Sequence, residues 1–304
     1  MIKQVLIIAL FLLTLSACEK DFVIKDQASS SKMVVNSLFT NGGKMNVFVT
    51  GSYAANGANA IHSLEDAIVE LYEDNTFKEQ MKYVNSDTVG TFGKFQSSFN
   101  PVKGKKYSIK VTQSQYGQAL AEDEQVIPVQ ILNYYVASYP ADSTDFTRAK
   151  IVVNIHDNAD KENYYKISVW AEEKLSQVIN AQGDTMIYSR IKSYKLMPTV
   201  YLSDTAREWG LNLFFGDNGF NGQNKTLEFD FQDATSKDKL ISSKLWYEIR
   251  TISKTYYQYS KTLELYRQTN NTNSSEPSYV YSNITNGYGI FASYNAQTRS
   301  TVIK

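Results

Sequence analysis

From Lys32 to about Ile252 the chain repeats one pattern: short segments alternate apolar and polar residues, and turn signals cut them roughly every ten residues. Met33 to Phe39 reads as a strand, Asn41-Gly42-Gly43 as a hairpin turn and Met45 to Val49 as the return strand. Ala67 to Tyr72 follows, then the turn residues Glu73-Asp74-Asn75. Phe92 to Phe99 and Tyr107 to Val111 continue the pattern, divided by Asn100-Pro101 and Gly104. A period of two sends successive side chains to opposite faces, so each strand has one apolar face that a second sheet must cover. The pattern therefore predicts an all-β fold, beginning with an immunoglobulin-like β-sandwich over 32–128. Ala119 to Pro128 closes that unit as an extended segment, and Pro128 suits an edge or linker.

A second unit starts near Val129 and runs to the end, so 129–304 is expected to be a larger β-sandwich-like domain. Its strands are 149–155, 164–170, 211–215, 226–231 and 244–250, with a turn at 157–160 and a hairpin tip at 180–184. One stretch breaks the period. Between Ser253 and Arg267, Tyr256, Tyr259, Leu263 and Tyr266 recur at spacings of three and four, which is one face of a helix. Ser253 suits its N-cap, and the tyrosine and leucine face is expected to lie on a sheet.

The chain opens differently. Met1-Ile2-Lys3 gives a short positive start, Val5 to Leu15 is almost wholly apolar, and Leu15-Ser16-Ala17 leads to Cys18, the only cysteine. An apolar core of about eleven residues is too short for a bilayer span, which takes roughly twenty. It has the length of a signal peptide, here 1–17. A cysteine in that position resembles the lipobox of a bacterial lipoprotein, in which the thiol carries diacylglycerol and the peptide before it is cleaved. Residues 18–31 then form a lipidated tether, able to reach roughly 45 Å at about 3.3 Å per residue. Glu19-Lys20-Asp21 after the cysteine resembles the surface-export signal of Bacteroidetes lipoproteins. The expected location is the outer membrane, lipid-anchored and facing outward, with a periplasm-facing anchor as the alternative.

The end of the chain carries the most specific pattern. Glu276 to Ile284 leads into Asn286-Gly287-Tyr288-Gly289-Ile290-Phe291. With Val34 to Phe39, Ala67 to Asp74, Asp157 followed by Asn163-Tyr164-Tyr165, and Tyr256-Tyr257-Gln258-Tyr259, it resembles the DUF4249 family of uncharacterised Bacteroidetes outer-membrane lipoproteins. The resemblance implies a two-part β protein and, as for other such lipoproteins, a companion of a TonB-dependent receptor. It implies no established activity. Read physically, Gly287 and Gly289 allow a tight turn and close backbone approach, and Asn283 and Asn286 bond local backbone. That favours a structural corner over a binding loop.

Chemistry is sparse. Thirty-one basic residues balance 31 acidic ones, so nucleic acid finds no basic footprint. Only two histidines exist, His62 and His156, and a zinc site would need both plus distant carboxylates. No metal or cofactor is expected. His156-Asp157 is the best local acid–base pair, but its position reads first as a strand end entering a turn. Asp157, Asp160 and Glu162 lack the alternation and central glycine of a calcium loop. Glu172-Glu173 and Glu122-Asp123-Glu124 read as solvated surface. Trp209, Phe214, Phe215 and Phe220 flank Gly216-Asp217-Asn218-Gly219, and they are either an aromatic platform for a ligand or buried strand residues. Thr88, Ser143, Thr185 and Thr205 each follow an aspartate in a short match to the Bacteroidetes O-glycosylation sequon. The leading expectation is non-enzymatic: an accessory or ligand-capture module for a TonB-dependent receptor, taking a small molecule, peptide or glycan. A surface glycan or peptide hydrolase and an adhesion or structural surface protein are the alternatives.

Overall fold

The computed structural model describes residues 31–52, 61–86, 88, 91–138, 146–159, 161–180, 182–202, 205–208, 211–234, 239–270 and 279–302. Among these the chain forms eighteen strands and one helix, an all-β architecture of facing sheets as the alternation requires.

The first sandwich sets β1 (Met33–Phe39), β2 (Asn46–Gly51), β6 (Lys94–Gln96) and β5 (Lys82–Val84) against β4 (Thr76–Gln80), β3 (Ile68–Glu73), β7 (Lys106–Gln113) and β8 (Gly117–Glu124). β1, β2 and β7 bury every second residue. Val35 on β1 and Tyr107, Ile109 and Val111 on β7 face a common core with Val69, Leu71 and Phe95. The turn between β3 and β4 puts Asp74 and Asn75 at φ 48° and 65°, the left-handed pair that a two-residue hairpin of type I′ demands.

The second sandwich faces β13 (Leu196–Pro198), β16 (Asn224–Ala234), β10 (Phe146–His156) and β9 (Gln130–Ser138) with a larger sheet. That sheet contains β14 (Ala206–Glu208), β15 (Asn212–Gly216), β11 (Tyr164–Val178), β17 (Lys239–Ile252) and β18 (Gly287–Val302), while β12 (Thr185–Ser193) pairs with β11. Ile151, Val153, Tyr165, Ile167, Phe215, Leu227, Phe229 and Tyr247 fill the space between. Burying each such side chain stabilises by about 1.5–3 kcal/mol.

The two sandwiches share a sheet through β18. Its first half runs parallel to β1, from Gly287 opposite Met33 to Ser293 opposite Phe39, and its second half runs antiparallel to β17. Phe291 and Ile284 enter the first core, although they follow the second unit in sequence. The connector after β8 is stitched to the same strands. Gln125 is fully buried and donates from Nε2 to the Tyr294 carbonyl at 2.9 Å. The Val129 amide donates to Thr251 Oγ1 at 2.8 Å, and Gln297 Nε2 donates to the Val129 carbonyl at 2.6 Å.

The helix α1 spans Lys254–Asn270, and Ser253 caps it: Oγ accepts from the Tyr256 amide at 3.2 Å. Its buried face differs from the expected one. Tyr256, Tyr257 and Ser260 are buried, Tyr259 and Leu263 are half-buried, and Tyr266 is exposed. The helix is turned because the Tyr257 ring stacks on Tyr164 of β11 at 4.6 Å, and small Ser260 fits where the helix meets the sheet. Below it lie Phe214, Ile252, Ile290 and Ala292, so β15 and the start of β18 are covered on both faces. This explains their near-continuous apolar runs.

Candidate functional site

The closing segment makes a corner before β18. Asn283 Nδ2 donates to the carbonyls of Glu122 and Phe291, at 3.1 and 2.8 Å, and its Oδ1 accepts from the Phe291 amide at 3.0 Å. Asn286 sits at φ 60° and Gly289 at φ 107°. A Cβ on Gly289 would stand 2.1 Å from the Val35 carbonyl oxygen, so only glycine lets β18 lie against β1 here. The corner is structural, and it also builds one wall of a cleft.

That cleft has a volume of about 680 Å³. Tyr72, Ser108, Lys110 and Leu120 supply its floor from β3, β7 and β8, Thr255 comes from the first turn of α1, and Tyr281, Asn283 and Thr285 form the wall. Three distant parts of the chain therefore meet there. Lys110 pairs with Glu70 at 2.5 Å and Lys106 with Glu122 at 2.7 Å, so the floor is polar with its charges matched. The Tyr72 ring is held by an edge contact with Phe77 at 5.6 Å. Ring faces, hydroxyls and an amide suit a polar ligand bound by stacking and hydrogen bonds.

The residues singled out in the sequence fall elsewhere. Phe214 lies under α1, and Phe215 and Phe220 lie in the second core, each no more than 3% exposed. They form no surface platform, because Leu213 and Phe215 point inward from β15 and the helix covers Phe214. Trp209, Ser143 and Cys18 lie outside the described residues. Thr88 and Thr205 are exposed outside the strands, and Thr185 is exposed at the start of β12.

His156 and Asp157 do not act as a pair. His156 is exposed and bonds Asn224 Oδ1 through Nδ1 at 2.7 Å. Asp157 is fully buried and accepts from the Tyr165 hydroxyl and, at 2.8 Å, from the Gly222 amide. Burial, reinforced by that carboxylate, raises the Tyr165 phenol far above its usual range. Glu162 accepts from Tyr164 and pairs with Lys254, and Asp160 lies outside the described residues. Among the described residues no three histidine, cysteine or acidic side chains gather as metal ligands.

Two carboxylates read as solvated surface are enclosed instead. Glu173 is 4% exposed, with Arg190 Nε at 2.7 Å and the Tyr194 hydroxyl at 3.3 Å. Part of Asp123 reaches the surface, yet its carboxylate is shut between the sandwiches, accepting from the Ser293 amide at 2.7 Å. Burial raises it to about 6, against the lowering effect of bonds from Ser253 and Ser293. The phase of the strands was the available signal: Glu173 shares the inward parity of Val169, Ala171 and Leu175, and Asp123 that of Ala119 and Ala121.

The family model for a domain of unknown function, DUF4249, matches residues 19–300, and the chain belongs to that family. A search of curated proteins found no match.

Proposed function

We propose that this DUF4249 chain is a lipid-anchored outer-membrane protein, acylated on Cys18, that serves a TonB-dependent receptor by capturing a ligand or contacting the barrel. The leader ending at Cys18 supports the anchor. No described helix is long and apolar enough to cross a membrane. The cleft at the closing corner carries the capture reading. Its lining of Tyr72, Tyr281, Ser108, Thr255 and Asn283 offers ring faces and neutral polar groups, and the charges of Lys110 and Glu122 are each paired, with Glu70 and Lys106. Such a lining suits a neutral polar small molecule, a glycan or a peptide backbone more than a strongly charged ligand. The reading is non-enzymatic because ring faces, hydroxyls and an amide are contacts that hold a ligand.

The test is purification of the tagged full chain from outer membranes in mild detergent, beside Cys18→Ala and the Tyr72→Ala/Tyr281→Ala double variant. Recovery of a TonB-dependent receptor with the parent chain, lost when Cys18 is replaced, is the expected result. Recovery of no receptor, together with normal growth of a deletion strain on every nutrient tested, would sink the proposal.

A further inference from the structure

We propose that β12 is a self-association edge, pairing antiparallel with β12 of a second copy about a two-fold axis through Ser189. The strand pairs with β11 over nine residues in unbroken register, from Thr185 opposite Val178 to Ser193 opposite Trp170. No described strand pairs along its other side. Ile187 and Ile191 are 58% and 72% exposed on the outward face, which Ser189 shares. Arg190 faces the other way, to Glu173. A long, regular edge with outward aliphatic side chains is a template for another strand.

The strands that end each sheet are blunted. β5, β13 and β14 have three residues each. β4 carries Lys78 and Glu79 and loses register against β3, and β8 ends in Glu122-Asp123-Glu124. β9 equals β12 in length, but its ladder with β10 breaks at Asn154/Ile155, and such a bulge spoils a regular edge.

The sequence of β12 selects a second copy as the occupant. Run antiparallel to itself about Ser189, it sets Ile187 across from Ile191, Thr185 across from Ser193 and Ser189 across from its own equivalent. The four isoleucines of two copies then form one cluster, and no two cations stand directly opposite. Such self-matching is what a two-fold interface requires. A lipid surface fits less well, because a strand edge needs hydrogen-bond partners that hydrocarbon lacks. The chain also enters the fold at Lys32, beside the start of β18, whereas β12 lies level with and beyond that strand's far end.

One strand pair is a small interface, so association is weak and concentration-dependent. Disulfide trapping reads it directly. Directly opposed residues of an antiparallel pair have Cα atoms about 4.5–5.5 Å apart, within reach of a disulfide. Ser189→Cys in the full chain, oxidised with copper phenanthroline in native membranes, is expected to give a covalent homodimer. Its yield should exceed by about tenfold or more that of Ser242→Cys, an exposed position on β17, and that of the parent chain. Adding Ile187→Asp and Ile191→Asp should return the yield to the control level. A Ser189→Cys yield equal to the controls, trapping of a different protein with no homodimer, or trapping unaffected by the aspartates would overturn the proposal.

Discussion

The two halves of β18 are the same strand in two settings. From Gly287 to Ser293 it runs parallel to β1, and Ile290 to Ser293 are buried consecutively on both faces. From Tyr294 to Val302 it runs antiparallel to β17, and its outward side chains, such as Ala296, reach solvent. The difference lies in what covers the sheet. The first core and α1 enclose the first half, while beyond Tyr294 no residue of the second half belongs to a core. A strand enclosed on both faces transmits any change into both bodies it touches, whereas a half-exposed strand tolerates changes on its open face.

Gly289→Val should produce the largest effect. It adds a β-branched side chain at a φ of 107° and drives Cβ into the Val35 carbonyl. A loss of more than about 4 kcal/mol, or no recoverable folded chain, is expected in urea unfolding. In the second half, Ala296→Ser on the open face should stay within about 0.5 kcal/mol. A similar loss from both substitutions would erase the contrast.

Asp123→Asn acts where the halves meet, since its carboxylate accepts from the Ser293 amide. The folded state raises this group from 3.8 to about 6, so the folded chain binds the proton more tightly than the unfolded one. Its contribution to stability is therefore greatest below the unfolded value and is lost as pH rises through about 6. Asparagine keeps the acceptor without the charge. The variant should be more stable than the parent at pH 8 by roughly 1–3 kcal/mol, with a flatter stability profile between about pH 4 and 6. A loss of stability at pH 8 would mean that the carboxylate is needed in its charged form.

Much of this fold is legible in the sequence, for a local reason. Alternation declares which residues share a face, and the strands around Val35, Ile109, Tyr165 and Leu227 follow it directly. The same phase places Glu173 and Asp123 inward, and their charge made them look like surface. The parallel return of β18 to β1 is not legible, because pairing across some 250 residues leaves no local periodicity. Gly287 and Gly289 announce a close backbone approach without naming the backbone approached. The cleft was hidden for the same reason, since Tyr72, Thr255 and Tyr281 come together only after that return. The aromatic cluster at Phe214, Phe215 and Phe220 misleads in the opposite direction, because a platform and a doubly covered strand have similar sequences.

The first sandwich is completed by β18, which follows the second unit in sequence. Unfolding of a fragment holding residues 31–128 alone, beside the full chain, checks this. Without β18 the fragment leaves β1 paired only to β2 and loses Phe291 and Ile284 from its core. The fragment should show no cooperative transition by calorimetry, and the full chain a single one. A sharp, reversible melt of residues 31–128, or two separate transitions in the full chain, would contradict it.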